Sequence, residues 1–251
     1  MPSNSGAPSL RASLLRAASM AAVAASMAFT VATVDTAKAL VARDDVGAAA
    51  IRDTGDAWPW VGQFITWPNR AANSFGLCTA QVINPRVVLL AAHCVGGVSG
   101  TELYGNGAGI RDAAVMFNPN NLAALRKWIG LDPSTAAIGA SNEGDRVYRV
   151  IDLIAHPLNA INAFSAGNAD VMIAVLDAPI NGFNGYGMLF SPLTALETVD
   201  LVGYGNQGTM STGQISIDWW RRAGQNALGF LGSDNDVFAS DLFGNAPPLA
   251  G

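Results

Sequence analysis

The stretch that most constrains this chain is Leu77 to Val95, LCTAQVINPRVVLLAAHCV. It holds both cysteines, Cys78 and Cys94, and one of the two histidines, His93. Two apolar, β-branched runs, Thr79–Ile83 and Val87–Leu90, flank the turn-forming pair Asn84-Pro85, a pattern that predicts two adjacent antiparallel strands. The second strand runs into Ala91-Ala92-His93-Cys94, a short helix-prone turn. If the two cysteines pair, the start of the first strand is tied to the residue beside His93, which suits an imidazole that must keep one tautomer and one orientation. A buried histidine beside a structural disulfide is the other reading these residues leave open.

The cysteine, strand, turn and Leu89-Leu90-Ala91-Ala92-His93-Cys94 resemble the signature of the chymotrypsin-like (trypsin family) serine proteases, with fifteen residues between the cysteines as is usual there. Leu90 stands where the family has Thr, and Ala80 where it often has Gly. Two further stretches fit in order. Asn168-Ala169-Asp170-Val171-Met172-Ile173-Ala174-Val175-Leu176 resembles the family's Asn-Asp-Ile-Ala-Leu-Leu segment, with Ala169 intruding. Val199-Asp200-Leu201-Val202-Gly203-Tyr204-Gly205 resembles its strand ending in Gly-Trp-Gly, with Tyr for Trp. The resemblance covers about residues 57–230. It implies an all-β fold of two antiparallel six-stranded barrels, a Cys78–Cys94 disulfide, and His93 and Asp170 as catalytic base and orienter. It implies no cofactor and no metal.

Asp170 leads an apolar run, so its carboxylate is half-buried and needs a partner, because an unpaired buried charge is costly. An imidazolium-forming His93 would be one; a surface strand cap is the alternative. His156, followed by Pro157, reads as a loop histidine outside the chemistry. The pair Arg221-Arg222 reads as a solvated face.

The nucleophile should follow in a Gly-Asp-Ser-Gly-Gly motif, and none occurs. Ser211, Ser216, Ser233 and Ser240 lack that setting. Gly251 lies 46 residues after Gly205, so the expectation is a chain that stops before the nucleophile, with its second barrel incomplete. Three readings stay open: a fragment of a secreted serine endopeptidase, a protease-like binding protein that lost its nucleophile, and an unrelated secreted β-protein.

The ends and the balance of charge set the remaining expectations. Arg11 and Arg16, the uncharged Ala-rich run Ala17–Val34 and Ala37-Lys38-Ala39 fit a cleaved export signal over 1–39, with a transmembrane anchor as the alternative. Export permits a disulfide, and the protein is expected outside the cytoplasm. Residues 1–39 carry a net +2 (Arg11, Arg16 and Lys38 against Asp35), which leaves −7 on the rest. An acidic body argues against nucleic acid or an anionic membrane as partner; the resemblance implies a protein or peptide substrate and a monomer. The expected layout is a mature N-terminal segment over 40–56, irregular or a short helix, then a first barrel over 57–165. That barrel carries a polar, Gly/Asn-rich insertion over 96–142, with strand-like pieces such as Ala113–Phe117 and a helix at Leu122–Ile129. A second barrel begins at 166. The tail from Gly232 shows no periodicity. The family's Ile/Val-Val/Ile-Gly-Gly start does not occur here, so activation by an inserted N-terminus is not expected.

Overall fold

A computed structural model describes residues 41–67, 75–95, 112–131, 139–158, 169–184, 186–187, 191, 197–231 and 238–240. The expected export signal, the segment 96–111, Asn168 and Ser233 lie outside the described residues. Six strands close into an antiparallel barrel: β1 (Val61–Trp67), β2 (Gly76–Asn84), β3 (Val87–Leu90), β4 (Asp112–Met116), β5 (Val147–Ala155) and β6 (Met172–Leu176), in the order β1-β2-β3-β6-β5-β4. The described residues are mostly β with few helices, and this barrel fits the trypsin-like β-barrel fold.

Side-chain alternation explains the closure. Phe64, Ala80, Val82, Val88, Leu90, Val115, Val150, Leu153, Met172, Ala174 and Leu176 fill the interior as one buried cluster, as every second residue of a strand faces one side. Val150 and Leu153 are three apart yet both reach this cluster, because the β5–β6 register shifts between Val150 and Asp152; one extra residue restores the phase. β1 is buried along its whole length. Its outer residues Ile65 and Trp67 meet Ala114, Met116 and Val147, and α1 (Leu122–Trp128) covers them with Ala124, Leu125 and Trp128.

Two sequence expectations change here. β4 is an integral barrel strand paired with both β1 and β5, so the region 96–142 is not wholly an insertion. The strand-like piece expected at Ala113–Phe117 is this strand, buried throughout. The barrel also closes with β6, beyond the expected division at 165/166, because β6 pairs with β3 and β5.

The second half contains β7 (Thr198–Gly203), β8 (Asn206–Thr209), β9 (Gly213–Ile217), β10 (Arg222–Leu231) and β11 (Phe238–Ser240). Among the described residues these form a three-stranded sheet β11-β10-β7 and a β8–β9 hairpin, with no second closed barrel. The tail thus contributes a short strand, β11, that its sequence did not announce.

Candidate active site

Strand register brings the site together. β3 and β6 are antiparallel with Leu90 opposite Met172. Residues just after β3 and just before β6 therefore emerge at the same end of the barrel. His93 lies three residues beyond Leu90, in a 3-10 turn (Ala92–Val95) whose Ala92 and Val95 are buried. Asp170 lies two residues before β6.

The turn is held from two sides. The Cys94 N–H donates to the Ala91 carbonyl at 3.2 Å, and a disulfide joins Cys94 to Cys78 of β2, with Cα atoms 6.1 Å apart. The implied disulfide is therefore present. Ligand atoms of Cys78, His93 and Cys94 lie within 4.8 Å of one another, but both sulfurs are spent in the disulfide and leave no thiolate for a metal.

Asp170 grips His93 twice. Oδ1 accepts the His93 backbone N–H at 2.8 Å, and Oδ2 lies 2.5 Å from Nδ1. An ionised carboxylate only accepts, so Nδ1 carries the proton and Nε2 is the basic nitrogen of the neutral ring. The side chains are 34% and 24% exposed, so this is an open rim site and not a histidine buried beside a disulfide. His156 stands apart: its Nδ1 accepts the Leu158 N–H at 3.1 Å, and its own N–H donates to the Val171 carbonyl at 2.9 Å. It is a loop histidine that orders its own turn. Two described serine hydroxyls are committed to carboxylates elsewhere, Ser211 to Asp44 at 2.6 Å and Ser141 to Asp177 at 2.6 Å.

Sequence reasoning missed a second polar centre. Arg221 was expected on a solvated face; its side chain is fully buried, and Arg222 is nearly so. Arg221 Nε donates to Asp53 at 2.8 Å, and Nη2 donates to Asp56 in a short contact. Nη1 faces the carbonyls of Val61 and Phe117 and the Tyr204 hydroxyl at 3.1, 3.2 and 3.2 Å. Asp56 also takes Arg146 at 2.6 Å. Two cations and two anions thus balance, as a buried guanidinium requires. Burial pushes Asp53 up, but the Ala57 N–H, Arg221 and the Trp58 N–H together hold it below its ordinary 3.8. Burial pushes Tyr204 up to about 12. Burial would lower Arg221, yet Tyr204, Asp56 and Asp53 outweigh it and raise it. No local signal marked this centre, because Arg221 and its aspartates are separated by more than half the chain.

No family model matches the sequence, and no curated protein does. Among solved structures, one described as the structure of GrC is similar in backbone course: 13% of residues are identical and the TM-score is 0.48. The match covers 70% of this chain and 63% of that one, so this chain spans less than two thirds of its length.

Proposed function

We propose that this chain supplies the base and its orienter to a secreted serine-type endopeptidase. The observation that carries the reading is the double grip of Asp170 on His93 at an open barrel rim. Peptide-bond hydrolysis through a serine needs a base to take the hydroxyl proton and later deliver it to the leaving amine. His93 Nε2 would do this, while Asp170 keeps the tautomer and stabilises the imidazolium. A structural histidine has no need of a carboxylate on both its ring and its backbone.

No Gly-Asp-Ser-Gly-Gly occurs among the 251 residues, and the proposal places the nucleophile and the oxyanion donors in sequence encoded beyond Gly251. Residues 1–39 would be removed on export, and the Cys78–Cys94 disulfide suits an oxidising compartment. The substrate would be a protein or peptide, taken by a monomer. The same missing motif is the observation behind a second reading, a protease-like protein that binds without cleaving.

The test compares the chain from Leu40 to Gly251 with a version extended through the downstream reading frame. Each is treated with a serine-directed fluorophosphonate probe and with casein. The proposal expects labelling and hydrolysis in the extended form alone, both abolished by His93→Ala. Labelling of the form ending at Gly251 would overturn it by showing that one of these serines is the nucleophile. A stop codon with no serine motif downstream would leave the binding reading.

A further inference from the structure

The segment 40–56 is expected from sequence to be irregular or a short helix, and from Ala42 to Asp56 it contains only turns and isolated bridges. Yet it is fastened along its length to the second half of the molecule. Ala42 N–H donates to Gly208 at 3.0 Å, and the Ala42 carbonyl accepts from Met210 at 3.1 Å. Asp44 accepts the Ser211 hydroxyl and N–H. Arg222 Nε reaches the Ala48 carbonyl at 3.2 Å, Ala223 N–H the Ile51 carbonyl at 2.9 Å, and Asp53 N–H the Arg221 carbonyl at 2.9 Å. Asp218 pairs with both Arg52 and Arg222.

The same segment reaches the first barrel through Arg221. That one side chain contacts the segment at Asp53 and Asp56, the head of β1 at Val61, the exit of β4 at Phe117, and Tyr204 after β7. Tyr204 in turn donates to the Asn118 carbonyl at 2.6 Å and takes the Thr79 hydroxyl of β2 through its N–H at 3.0 Å. Backbone strain gathers at this point. Among the described residues the non-glycine positions with positive φ are Asp56, Arg146 and Trp219. The first two are members of the charge network and the third is two residues from Arg221. Such conformations persist where surrounding structure over-determines them, and they mark switch regions and clamps.

We propose that residues 42–56 are a built-in clasp: Asp53 and Asp56, by holding the buried Arg221, fix the seating of β7–β10 on the first barrel through interior side chains. Removing either partner leaves a buried charge uncompensated, so the seating is lost before the barrel is. The barrel core lies inside its own closed sheet, and His93 and Asp170 are fixed by β3, β6 and the disulfide. The clasp stands whether or not a nucleophile is supplied.

Amide hydrogen exchange read by mass spectrometry tests it. The full-length chain, the form beginning at Leu40, and Asp53→Asn/Asp56→Asn are compared over residues 198–227 and over 76–90. The expected result is faster exchange over 198–227 in the double variant, by about a hundredfold, the factor that corresponds to the two charge-assisted hydrogen bonds lost from Arg221 at about tenfold each. Protection over 76–90 should be retained, and the two N-termini should be indistinguishable. If the double variant fails to fold, Asp56→Asn alone decides, since that carboxylate is 36% exposed and its loss is milder; the same regional pattern is expected at smaller amplitude. Equal loosening of both regions, no loosening at all, or a difference between the two N-termini would overturn the proposal.

Discussion

A carboxylate that holds both the backbone and the ring of one residue leaves that residue little freedom. Asp170 fixes where the His93 ring sits and which nitrogen keeps the proton. Asparagine at 170 would keep the shape but could offer its NH₂ to Nδ1, which favours the opposite tautomer. Under the proposed function, Asp170→Asn in a downstream-extended form that hydrolyses peptide is therefore expected to lower kcat about 10⁴-fold with little change in KM. Steady-state kinetics on a peptide substrate check this. Both residues were legible in the sequence because their neighbours carry the information: Ala-Ala-His-Cys behind a strand, and an aspartate before an apolar run. Arg221 was not legible. A basic pair beside two tryptophans reads as surface, and only the tertiary arrangement of Asp53, Asp56 and Tyr204 makes its burial tolerable.

At the level of elements, the barrel's tightness shows at Gly62 in β1. A Cβ there would lie 2.5 Å from Val115 Cγ1 and 2.6 Å from Phe117 Cε1, and both neighbours are completely buried. Gly62→Ala is expected to destabilise by about 1–3 kcal/mol through overpacking. Gly224 in β10 has open space around it, so Gly224→Ala is the matched control and should leave the urea midpoint unchanged or slightly raised. β2, with its β-branched run, and β6, an apolar run behind Asp170, were readable from sequence, and so was the hairpin turn at Asn84-Pro85. β4 was readable as a strand-like piece, Ala113–Phe117, but its place in the barrel was not, because that rests on pairing with β1 and β5 far away in the chain. The β5 bulge, which decides which side chains enter the core, has no local mark in the sequence.

For the whole molecule, the charged centres set how stability responds to pH. Asp53 and Asp218 lie below the ordinary 3.8, in each case because arginine and N–H partners outweigh burial. The folded state binds those protons less tightly than the unfolded chain, so the stability they contribute is present at neutral pH and lost as the solution is acidified below 3.8. Tyr204 works in the other direction. Folded, it titrates near 12 against an ordinary 10.0, so its contribution is full below pH 10 and lost as pH rises towards 12. Melting temperature against pH should fall at both extremes. Tyr204→Phe should flatten the alkaline limb, and Asp53→Asn should flatten part of the acid limb while lowering stability at neutral pH.

Asp170 would present His93 as a base through Nε2, and with two histidines in the chain the tautomer of each ring can be read directly. His93 Nδ1 faces a carboxylate, whereas His156 Nδ1 accepts an N–H from Leu158. Nitrogen-15 NMR at a pH where both rings are neutral should therefore show opposite tautomers: Nδ1–H for His93 and Nε2–H for His156, each assigned by loss of its signals in the alanine variant. Asp170→Asn should convert the first and leave the second unchanged. An Nε2–H tautomer for His93 in the unaltered chain, or no response of His93 to Asp170→Asn, would mean that Asp170 does not set the His93 tautomer.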